Sequence, residues 1–544
     1  MADLIPDPAT RIDVLVAGSG AAGLTAALAA AASGARVMLA ERSDELGGTT
    51  ALSFGRVWVP ASDHAPGDSR DAARAYLAGP FGEHYPEMTE AFITGAASMA
   101  RFVEQRTPVR FAPCVNYPDY HPARPGASPG GRALDTWPVD LASLTPLASS
   151  VRTPPGYVPL THAEWEEWRF PHRFDWALLD ERQRHGIRAG GAGLAAALLD
   201  GAVRAGVEVV TGTRLLRARL DQHGAVIGAT VSKGNELVHL SSPAIILATG
   251  GFDRNRELRG RLLPAPVTGS GATPGNTGDA LRIAADSGGH VDNTGQGWWM
   301  PMIKIPGLSI EGEQYYQSVI RERALPRQIM VNAAGRRFAD EALPYNELGK
   351  IMNQQDRAGD HPNRLTWLIF DEGFRRRYAF PAARPGGGLP AWVTRVGSVV
   401  SLASAIAVDA DTLADTIARW NRDCAAGCDT EFDRGSNAYE RFMGDPGPGP
   451  NPNLGPIDQP PYYAVRVLSG TIGTKGGPVT DPAGRVLTAA GRPVGGLYAA
   501  GNAAAFWTAD GYPGPGATLG VAMTMGYLAG LHAAAYGRAV NRER

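Results

Sequence analysis

Continuous apolar runs separated by glycine-rich turns mark the start of the chain. Arg11 to Ala17 ends in such a run and predicts a short strand that is buried on both faces. An alanine- and leucine-rich stretch up to about Gly34 predicts a helix, and Arg36 to Ala40 predicts a second strand. A strand, a helix and another strand in this order are typical of a parallel sheet covered by helices.

The same pattern returns further along the chain. Gly193 to Ala205 predicts a helix and Glu208 to Val210 a strand, followed by an alternating pair, Arg214 to Leu220 and Ala225 to Val231. An all-apolar run then ends in Ala-Thr-Gly-Gly at residues 248–251. This run predicts a parallel strand whose carboxyl end lies where α/β proteins hold their ligands.

The pattern changes between Trp298 and about Pro460, where tryptophan, proline and charged helical stretches replace the strand–helix alternation. Within this part, Gln328 to Asn332 and Gly335 to Phe338 predict a hairpin. After it the earlier pattern resumes. We therefore expect a discontinuous α/β domain formed by residues 1–297 and 461–544, interrupted by an inserted α+β domain formed by residues 298–460.

The composition is that of a globular protein without features for nucleic acid binding. Of 544 residues, 44% are hydrophobic and 19% are charged, with a net charge of −2, and no basic block is present. The three cysteines suit a reducing compartment and have no nearby histidine to complete a ligand set, so no metal site is expected.

The sequence lacks membrane and secretion signals. No apolar run reaches the roughly 20 residues that span a bilayer, and the N-terminus lacks the pattern of a secretory signal. We therefore expect a cytoplasmic protein, while peripheral contact with a membrane and the oligomeric state stay open.

A dinucleotide-binding fingerprint lies between the first strand and the first helix. In Gly18-Ser19-Gly20-Ala21-Ala22-Gly23, the first glycine permits a tight turn, and the second lets the backbone approach a pyrophosphate. The third lets helix and strand pack closely. Glu41, with Arg42 beside it, ends the second strand and is positioned to accept hydrogen bonds from a ribose.

A second glycine-rich loop favours FAD over NAD. Leu46-Gly47-Gly48-Thr49-Thr50 offers further backbone N–H groups and hydroxyls for phosphate shortly after the ribose acid. NAD enzymes do not require such a loop, whereas FAD lies extended across a domain of this kind. The fold class expected is therefore α/β, with a Rossmann-like FAD-binding domain.

A turn near the end of the chain, residues 510–520, has the residues of an oxyanion site. Its glycines and prolines prevent regular structure, and the apolar run after it predicts a helix whose N-terminal amides face the turn. Tyr512 places a hydroxyl beside those amides. Such donors suit a substrate carbonyl that gains negative charge. The alternative is a structural turn that lets two elements pack closely.

These motifs resemble the fumarate reductase/succinate dehydrogenase flavoprotein superfamily, as do Gly335 to Glu341 and Ala500-Gly501-Asn502. Within that superfamily, four stretches resemble the 3-ketosteroid Δ1-dehydrogenases over nearly the whole chain. They are Pro118-Asp119-Tyr120, Asn451 to Ile457, Gly473 to Pro478 and Tyr512 to Gly520.

The resemblance implies an FAD-dependent 1,2-desaturation of a 3-ketosteroid, with hydride transfer from C1 to FAD and proton removal from C2. Carried over by motif, Tyr345 is the base and Tyr120 assists it, while the Tyr512 hydroxyl and the Gly516 N–H hold the C3 carbonyl oxygen. An external electron acceptor, quinone-like or artificial, completes the cycle. The residues expected to contact FAD are Gly18, Gly20, Ala21, Ala22, Gly23, Glu41, Arg42, Gly47, Gly48, Thr49, Thr50, Ala248, Thr249, Gly250, Asn276, Asp279, Gly501, Asn502, Ala517, Thr518 and Leu519.

Two departures leave the substrate open. Ala503 to Ala509, which contains Phe506 and Trp507, is bulkier than the family pattern, and the proline- and tryptophan-rich residues 152–176 form a long segment. Another cyclic ketone is an alternative substrate. A Δ4-(5α)-dehydrogenase, a fumarate-type reductase and a non-catalytic steroid-binding flavoprotein are further alternatives. The fumarate type should carry arginine in place of Tyr345, and the Δ4 type should lack Tyr-x-x-x-Gly.

Overall fold

The computed structural model describes residues 11–82, 85–264, 267–378, 380, 387–447 and 449–543. Residues 1–10, the start of the predicted first domain, lie outside this set.

The strands and helices alternate irregularly along the chain. The strands are β1 (Val14–Ala17), β2 (Val37–Ala40), β3 (Val57–Trp58), β4 (Phe111–Pro113), β5 (Ala133–Thr136), β6 (Val139–Asp140), β7 (Ile187–Arg188), β8 (Glu208–Val210), β9 (Thr213–Leu220), β10 (Val226–Lys233), β11 (Glu236–Ser241), β12 (Ala244–Leu247), β13 (Gly269–Ser270), β14 (Val291–Asp292), β15 (Gly297–Ile310), β16 (Glu313–Ser318), β17 (Gln328–Val331), β18 (Thr366–Asp371), β19 (Thr394–Val396), β20 (Tyr462–Thr474), β21 (Gly477–Pro478), β22 (Arg485–Leu487) and β23 (Pro493–Ala499). The α-helices are α1 (Ala21–Ala32), α2 (Arg70–Leu77), α3 (Pro86–Arg106), α4 (His162–Trp168), α5 (Trp176–Arg184), α6 (Gly190–Arg204), α7 (Arg256–Leu262), α8 (Asp279–Asp286), α9 (Tyr345–Asn353), α10 (Glu372–Arg377), α11 (Val399–Ile406), α12 (Ala410–Ala426), α13 (Ala438–Met443) and α14 (Ala517–Glu543).

A six-stranded sheet in the order β22-β23-β12-β1-β2-β8 forms the first layer. Its strands are parallel except for β22, which runs antiparallel to β23. Along β1, Val14 and Val16 lie in one hydrophobic cluster, and Leu15 and Ala17 lie in another. Because both faces of the strand are buried, its sequence is apolar without alternation.

Helices α1 and α14 pack backbone to backbone on one face of this sheet. A Cβ atom at Gly526 would lie 2.4 Å from the Ala22 carbonyl oxygen, and one at Gly530 would lie 2.3 Å from that of Ala26. Small residues on both helices therefore allow an approach that larger side chains would prevent.

A second, seven-stranded sheet has the order β16-β15-β20-β18-β17, with β13 and β19 also paired to β20. Its neighbours are antiparallel except for the short β13–β20 pair. The long strand β20 lies beyond residue 460, whereas most of its partners lie within the predicted insertion. We keep the boundary residues 298–460 as a proposal.

The hairpin predicted across residues 328–338 is wrong. Strand β17 pairs antiparallel with β18, which lies more than thirty residues later in the chain. Arg337 is buried and donates to the carboxylates of Glu341 and Asp429. The segment after β17 therefore contributes to an internal ion-pair network and does not form a second strand.

None of the described helices is both long enough and apolar enough to cross a bilayer.

Candidate active site

The predicted cofactor residues gather at one edge of the six-stranded sheet. Strands β1, β2, β12 and β23 are parallel neighbours, so their carboxyl ends meet there. The fingerprint follows β1, Glu41 and Arg42 follow β2, Ala248 to Gly250 follow β12, and Gly501 with Asn502 closely follows β23.

The fingerprint glycines occupy positions that no side chain can fill. Gly18 has a φ of 106°, and a Cβ there would lie 2.4 Å from the Ala248 carbonyl oxygen. A Cβ at Gly23 would lie 1.9 Å from the Gly18 carbonyl oxygen. Gly20 caps α1 without a side-chain hydrogen bond, so most of the first amides of the helix stay available for a phosphate.

Glu41 and the second glycine-rich loop are joined through Ser19. Glu41 is buried and accepts hydrogen bonds from the Ser19 N–H at 3.0 Å and the Ser19 hydroxyl at 2.7 Å. The Gly47 N–H donates to the same hydroxyl at 3.0 Å. Thr50 Oγ1 accepts from the Ala21 N–H at 2.9 Å. These contacts hold Gly47 and Gly48 against the fingerprint turn.

Two contacts bring the segment before α8 to the same edge. The Arg42 guanidinium donates to the Gly275 carbonyl at 3.1 Å and to the Thr277 hydroxyl at 2.8 Å. The Thr273 N–H donates to Thr49 Oγ1 at 3.2 Å. Asn276 lies directly against Gly250, which has a φ of 73°.

Asp279 is placed differently from its neighbours. It forms an ion pair with Arg214, with 2.6 Å between the carboxylate and the guanidinium. Its carboxylate is therefore already satisfied by the protein.

One buried hydroxyl at this edge has no partner. Thr249 Oγ1 is buried and, within the described part of the chain, lies within hydrogen-bond range of no other group. An unsatisfied buried hydroxyl costs on the order of 1–3 kcal/mol. Together with the glycine cradle and the helix N-terminus, this orphan donor fits a bound dinucleotide.

Three tyrosines from distant segments form a second part of the site. The ring centroids of Tyr120, Tyr345 and Tyr512 are 5.2 to 5.6 Å apart, and each pair is edge-to-face. The Tyr120 hydroxyl donates to the Tyr345 hydroxyl at 3.2 Å. All three side chains are buried, with exposed fractions of 3%, 6% and 3%.

Two structural elements fix Tyr345 and Tyr512 relative to each other. Tyr345 is the first residue of α9. From the same helix, the Asn346 amide donates to the Asp510 carbonyl at 3.1 Å, and Lys350 pairs with the Asp510 carboxylate at 2.9 Å. Helix α9 is therefore tied directly to the turn that carries Tyr512.

Lys475 donates hydrogen bonds to the turn that carries Tyr512. Its ammonium is fully buried and donates to the carbonyls of Ala509 and Gly511 at 2.9 and 2.6 Å. It also lies 4.0 Å from the centroid of the Trp298 ring, which in turn packs 4.6 Å from the Tyr512 ring. Burial lowers the pKa of Lys475 well below its usual range.

Tyr120 is held by a buried charged network. Asp119 accepts from the Trp58 indole at 2.8 Å and pairs with Arg132 at 2.7 Å. Burial raises the pKa of Asp119 to about 6. The Tyr120 N–H donates to the Pro513 carbonyl at 3.1 Å. The loop that carries Tyr120 is therefore bound to the turn that carries Tyr512.

Gly516 completes the turn. Its φ is 88°, and a Cβ there would lie 2.4 Å from the Arg56 carbonyl oxygen. It directly precedes α14, so its N–H belongs to the helix end whose amides have no intrahelical acceptor. The Thr518 hydroxyl donates to the Tyr512 hydroxyl at 3.1 Å.

The tyrosines are phenols at neutral pH. Burial raises the pKa of Tyr345 and of Tyr120 well above the usual value, and it also raises that of Tyr512. The hydrogen bond from Tyr120 opposes this rise at Tyr345. A protonated Tyr512 suits a hydrogen-bond donor, whereas Tyr345 needs help to accept a proton.

Sequence reasoning missed several residues around the tyrosines. Trp298 packs on Tyr512, and Tyr439 packs 5.1 Å from Tyr120. Burial raises the pKa of Tyr117 and Tyr512, and the Arg56 charge opposes this rise. A signal for Arg56 was present, since it is a lone cation in an otherwise apolar run.

The fold and the residues at the carboxyl edge of the six-stranded sheet define an α/β flavoprotein, and comparisons with known proteins agree. The chain belongs to the FAD binding domain family, whose model matches residues 13–519. It is an FAD-dependent oxidoreductase.

Three relatives place the chain more closely. It is 38% identical to 4-oxocyclohexanecarboxylate 2-dehydrogenase of Sinomonas cyclohexanicum, over 97% of this chain and 93% of the relative. It is 35% identical to 3-oxosteroid 1-dehydrogenase of Mycobacterium tuberculosis, over 96% and 98%. The solved 3-ketosteroid delta1-dehydrogenase from Sterolibacterium denitrificans, in complex with 1,4-androstadiene-3,17-dione, superimposes with a TM-score of 0.90 at 34% identity, over 96% and 99%.

These similarities confirm the predicted family resemblance, the α/β FAD-binding fold and the cofactor. The residue roles stay predictions.

Proposed function

We propose that this enzyme desaturates the carbon–carbon bond next to a ring ketone. The observation that carries the proposal is the convergence of Tyr120, Tyr345 and Tyr512 within one buried cluster. Three phenols that meet beside a cofactor edge offer both a proton acceptor and a carbonyl donor, which is the minimum that enolisation requires.

In the proposed reaction, one set of residues binds the carbonyl oxygen and another set takes up the proton. The Tyr512 hydroxyl and the Gly516 N–H donate to the carbonyl oxygen and stabilise its negative charge as the adjacent carbon loses a proton. Tyr345 Oη accepts that proton in its deprotonated form, and the Tyr120 hydroxyl, which donates to it at 3.2 Å, stabilises the phenolate. A bound FAD would supply the acceptor for the hydride of the next carbon, so that one C=C bond would form as two C–H bonds break.

Two substrate classes have support. A 3-ketosteroid, desaturated at its 1,2-bond, is supported by the TM-score of 0.90 with the steroid-bound dehydrogenase. A single-ring keto acid is supported by the 38% identity to 4-oxocyclohexanecarboxylate 2-dehydrogenase. The close packing of Trp298 against Tyr512 and Phe506, at 4.6 Å in each case, also favours the smaller ring. A quinone-like molecule is the proposed electron acceptor, and a cytoplasmic location stays a prediction.

The other reactions weighed from the sequence have less support. A fumarate-type reductase should use arginine where this chain has Tyr345, and a Δ4-(5α)-dehydrogenase should lack the Tyr512–Gly516 pair. A binding protein without turnover gives no reason to bury three phenols together.

The test is anaerobic mixing of the flavin-loaded protein with 4-androstene-3,17-dione or with 4-oxocyclohexanecarboxylate. We expect flavin absorbance to bleach with at least one of them, and the product to be lighter by two hydrogens. A protein that retains its flavin and bleaches with neither ketone would contradict the proposal.

A further inference from the structure

One cation beside the tyrosine cluster has no directly paired carboxylate, and the nearby Asp135 acts on it only by longer-range attraction. Arg56 has no carboxylate within 4.0 Å among the residues that the structure describes. Its Nε and Nη2 both face His162 Nδ1, at 3.1 and 2.7 Å. Arg56 also forms a side-chain hydrogen bond with Cys114, a thiol whose pKa is raised by burial and which therefore carries no negative charge at neutral pH.

The His162 ring cannot supply the missing negative charge. Its Nε2 lies 2.6 Å from Glu166 Oε1, which fits a neutral ring that donates from Nε2 and accepts at Nδ1. Burial and the Arg56 charge lower the pKa of His162 to about 4. The ring is therefore neutral at pH 7 and orients Arg56 without compensating it.

Aromatic rings surround the guanidinium and keep it partly dry. It lies over the rings of Phe54, Tyr117 and Trp165, at 5.3, 5.3 and 5.8 Å from their centroids. Tyr117 and Trp165 also stack on the two faces of His162. Arg56 as a whole residue is half-buried.

Two other buried arginines of this chain have partners of a kind that Arg56 lacks. Arg132 pairs with Asp68 and Asp119. Arg321, which lies over the same Trp165 ring, donates to three backbone carbonyls. A partly desolvated guanidinium without a directly paired carboxylate favours an anion, and a carboxylate matches its geometry.

The position of Arg56 relates this anion to the proposed reaction. Its carbonyl oxygen lies against Gly516, so the guanidinium is no farther from this proposed carbonyl donor than about one arginine side-chain length. In a cyclohexanone with a carboxylate across the ring, the two polar groups are separated in a similar way. A ring seated on the tyrosines would direct its carboxylate towards the cation.

We propose that Arg56 is the specificity residue of this enzyme and binds the carboxylate of a single-ring keto acid of the 4-oxocyclohexanecarboxylate type. This inference rests on the proposed ring-ketone desaturation and narrows its substrate class. Glu166 and His162 act as positioning residues that hold the guanidinium in place.

The test compares an acid with its uncharged counterpart. The probes are 4-oxocyclohexanecarboxylate and 4-oxocyclohexanecarboxamide, which differ in charge but have the same ring and ketone. The flavin-loaded protein is mixed with each under anaerobic conditions, and kcat/KM is taken from flavin bleaching. Equilibrium binding of both probes is measured in parallel from the change in the flavin spectrum.

We expect the wild-type protein to prefer the acid by at least about tenfold, in both bleaching and binding. Arg56→Gln should reduce kcat/KM for the acid by about 10- to 100-fold, the range of a lost charge-assisted hydrogen bond, and leave the value for the amide within about threefold. Arg56→Lys should recover part of the preference because it restores charge without the planar fork.

Arg101→Gln is the matched control, since it removes an exposed arginine that pairs with Asp63 at the surface. It should leave both probes unchanged. Equal use of acid and amide by the wild-type protein, or an equal loss for both in Arg56→Gln, would overturn the role of Arg56.

The two proposals fail in different ways. Suppose that 4-androstene-3,17-dione or the amide bleaches the flavin and the protein does not prefer the acid to the amide. Ring-ketone desaturation is then supported, and the proposed binding of a carboxylate by Arg56 is wrong. If no ketone bleaches the flavin, the desaturation is wrong, and the binding titration alone decides whether Arg56 selects the carboxylate.

Discussion

Tyr345 and Tyr120 share one hydrogen bond of 3.2 Å inside a buried cluster, so neither hydroxyl can be removed without affecting the other. Motif reasoning named both residues and Tyr512, because their neighbours in sequence carry family patterns. It did not name Arg56 or Trp298. Arg56 stands out in the sequence only as a lone cation in an apolar run, and the contacts that make both residues important are with residues far away in sequence.

At the residue scale, the first prediction concerns the proposed base. Tyr345→Phe removes only the hydroxyl, so the protein should fold and retain its flavin while kcat falls by at least about a thousandfold. Flavin bleaching and the bound-flavin spectrum measure both properties. Tyr462→Phe, in a strand of the second sheet, is the control and should retain full activity. A Tyr345→Phe protein with the wild-type rate would remove Tyr345 from the mechanism.

The second residue-scale prediction concerns pH. The pKa of Tyr345 is raised well above 10, mainly by burial, so the deprotonated fraction at neutral pH is small and grows tenfold per pH unit. We expect kcat/KM to rise with pH from 7 to 9 without reaching a plateau. A profile that is flat over this range would indicate that Tyr345 is not the base in its free form.

At the scale of elements, the sequence predicted the strand–helix–strand start and the Ala-Thr-Gly-Gly strand well, because burial on both faces leaves a clear apolar run. The hairpin predicted across residues 328–338 was wrong, because a glycine between two short strand-like runs is also compatible with a turn after which Arg337 is buried. Partner choice across the second sheet is a long-range property that local pattern does not contain.

Lys475 gives an element-scale prediction. Lys475→Met removes both hydrogen bonds to the turn before Tyr512, so kcat should fall by about 10- to 100-fold. Stability should fall by about 1–3 kcal/mol, because the carbonyls of Ala509 and Gly511 lose their buried donor. Thermal unfolding and flavin bleaching measure the two effects separately. Lys304→Met, at an exposed position, should change neither. A Lys475→Met protein with the wild-type kcat would contradict a positioning role.

At the scale of the whole molecule, the packing of α1 on α14 joins the fingerprint near the start of the chain to the helix at its end. The sequence indicated that both belong to one domain through their shared pattern. It did not predict how closely the two helices approach, because this depends on glycines and alanines that also suit an ordinary helix.

Gly530→Ala tests this contact. Its Cβ would lie 2.3 Å from the Ala26 carbonyl oxygen, so overpacking should lower the free energy of unfolding by about 1–3 kcal/mol and weaken flavin retention. Gly260→Ala is the matched control, because this helical glycine has no other atoms within 4 Å of its would-be Cβ. It should be neutral or stabilise the protein by about 0.5–1 kcal/mol. Chemical denaturation measures both variants, and equal stability of the two would contradict close helix contact.

The hydrogen bond between Tyr120 and Tyr345 joins residues 225 positions apart in sequence, and the turn with Tyr512 closes the same cluster from a third segment. During refolding, the proposed flavin-binding residues need only the six-stranded sheet to form, whereas the tyrosine cluster needs all three segments to come together. Recovery of turnover should therefore lag behind recovery of flavin binding. The delay between the two would measure how long the tyrosine cluster takes to assemble.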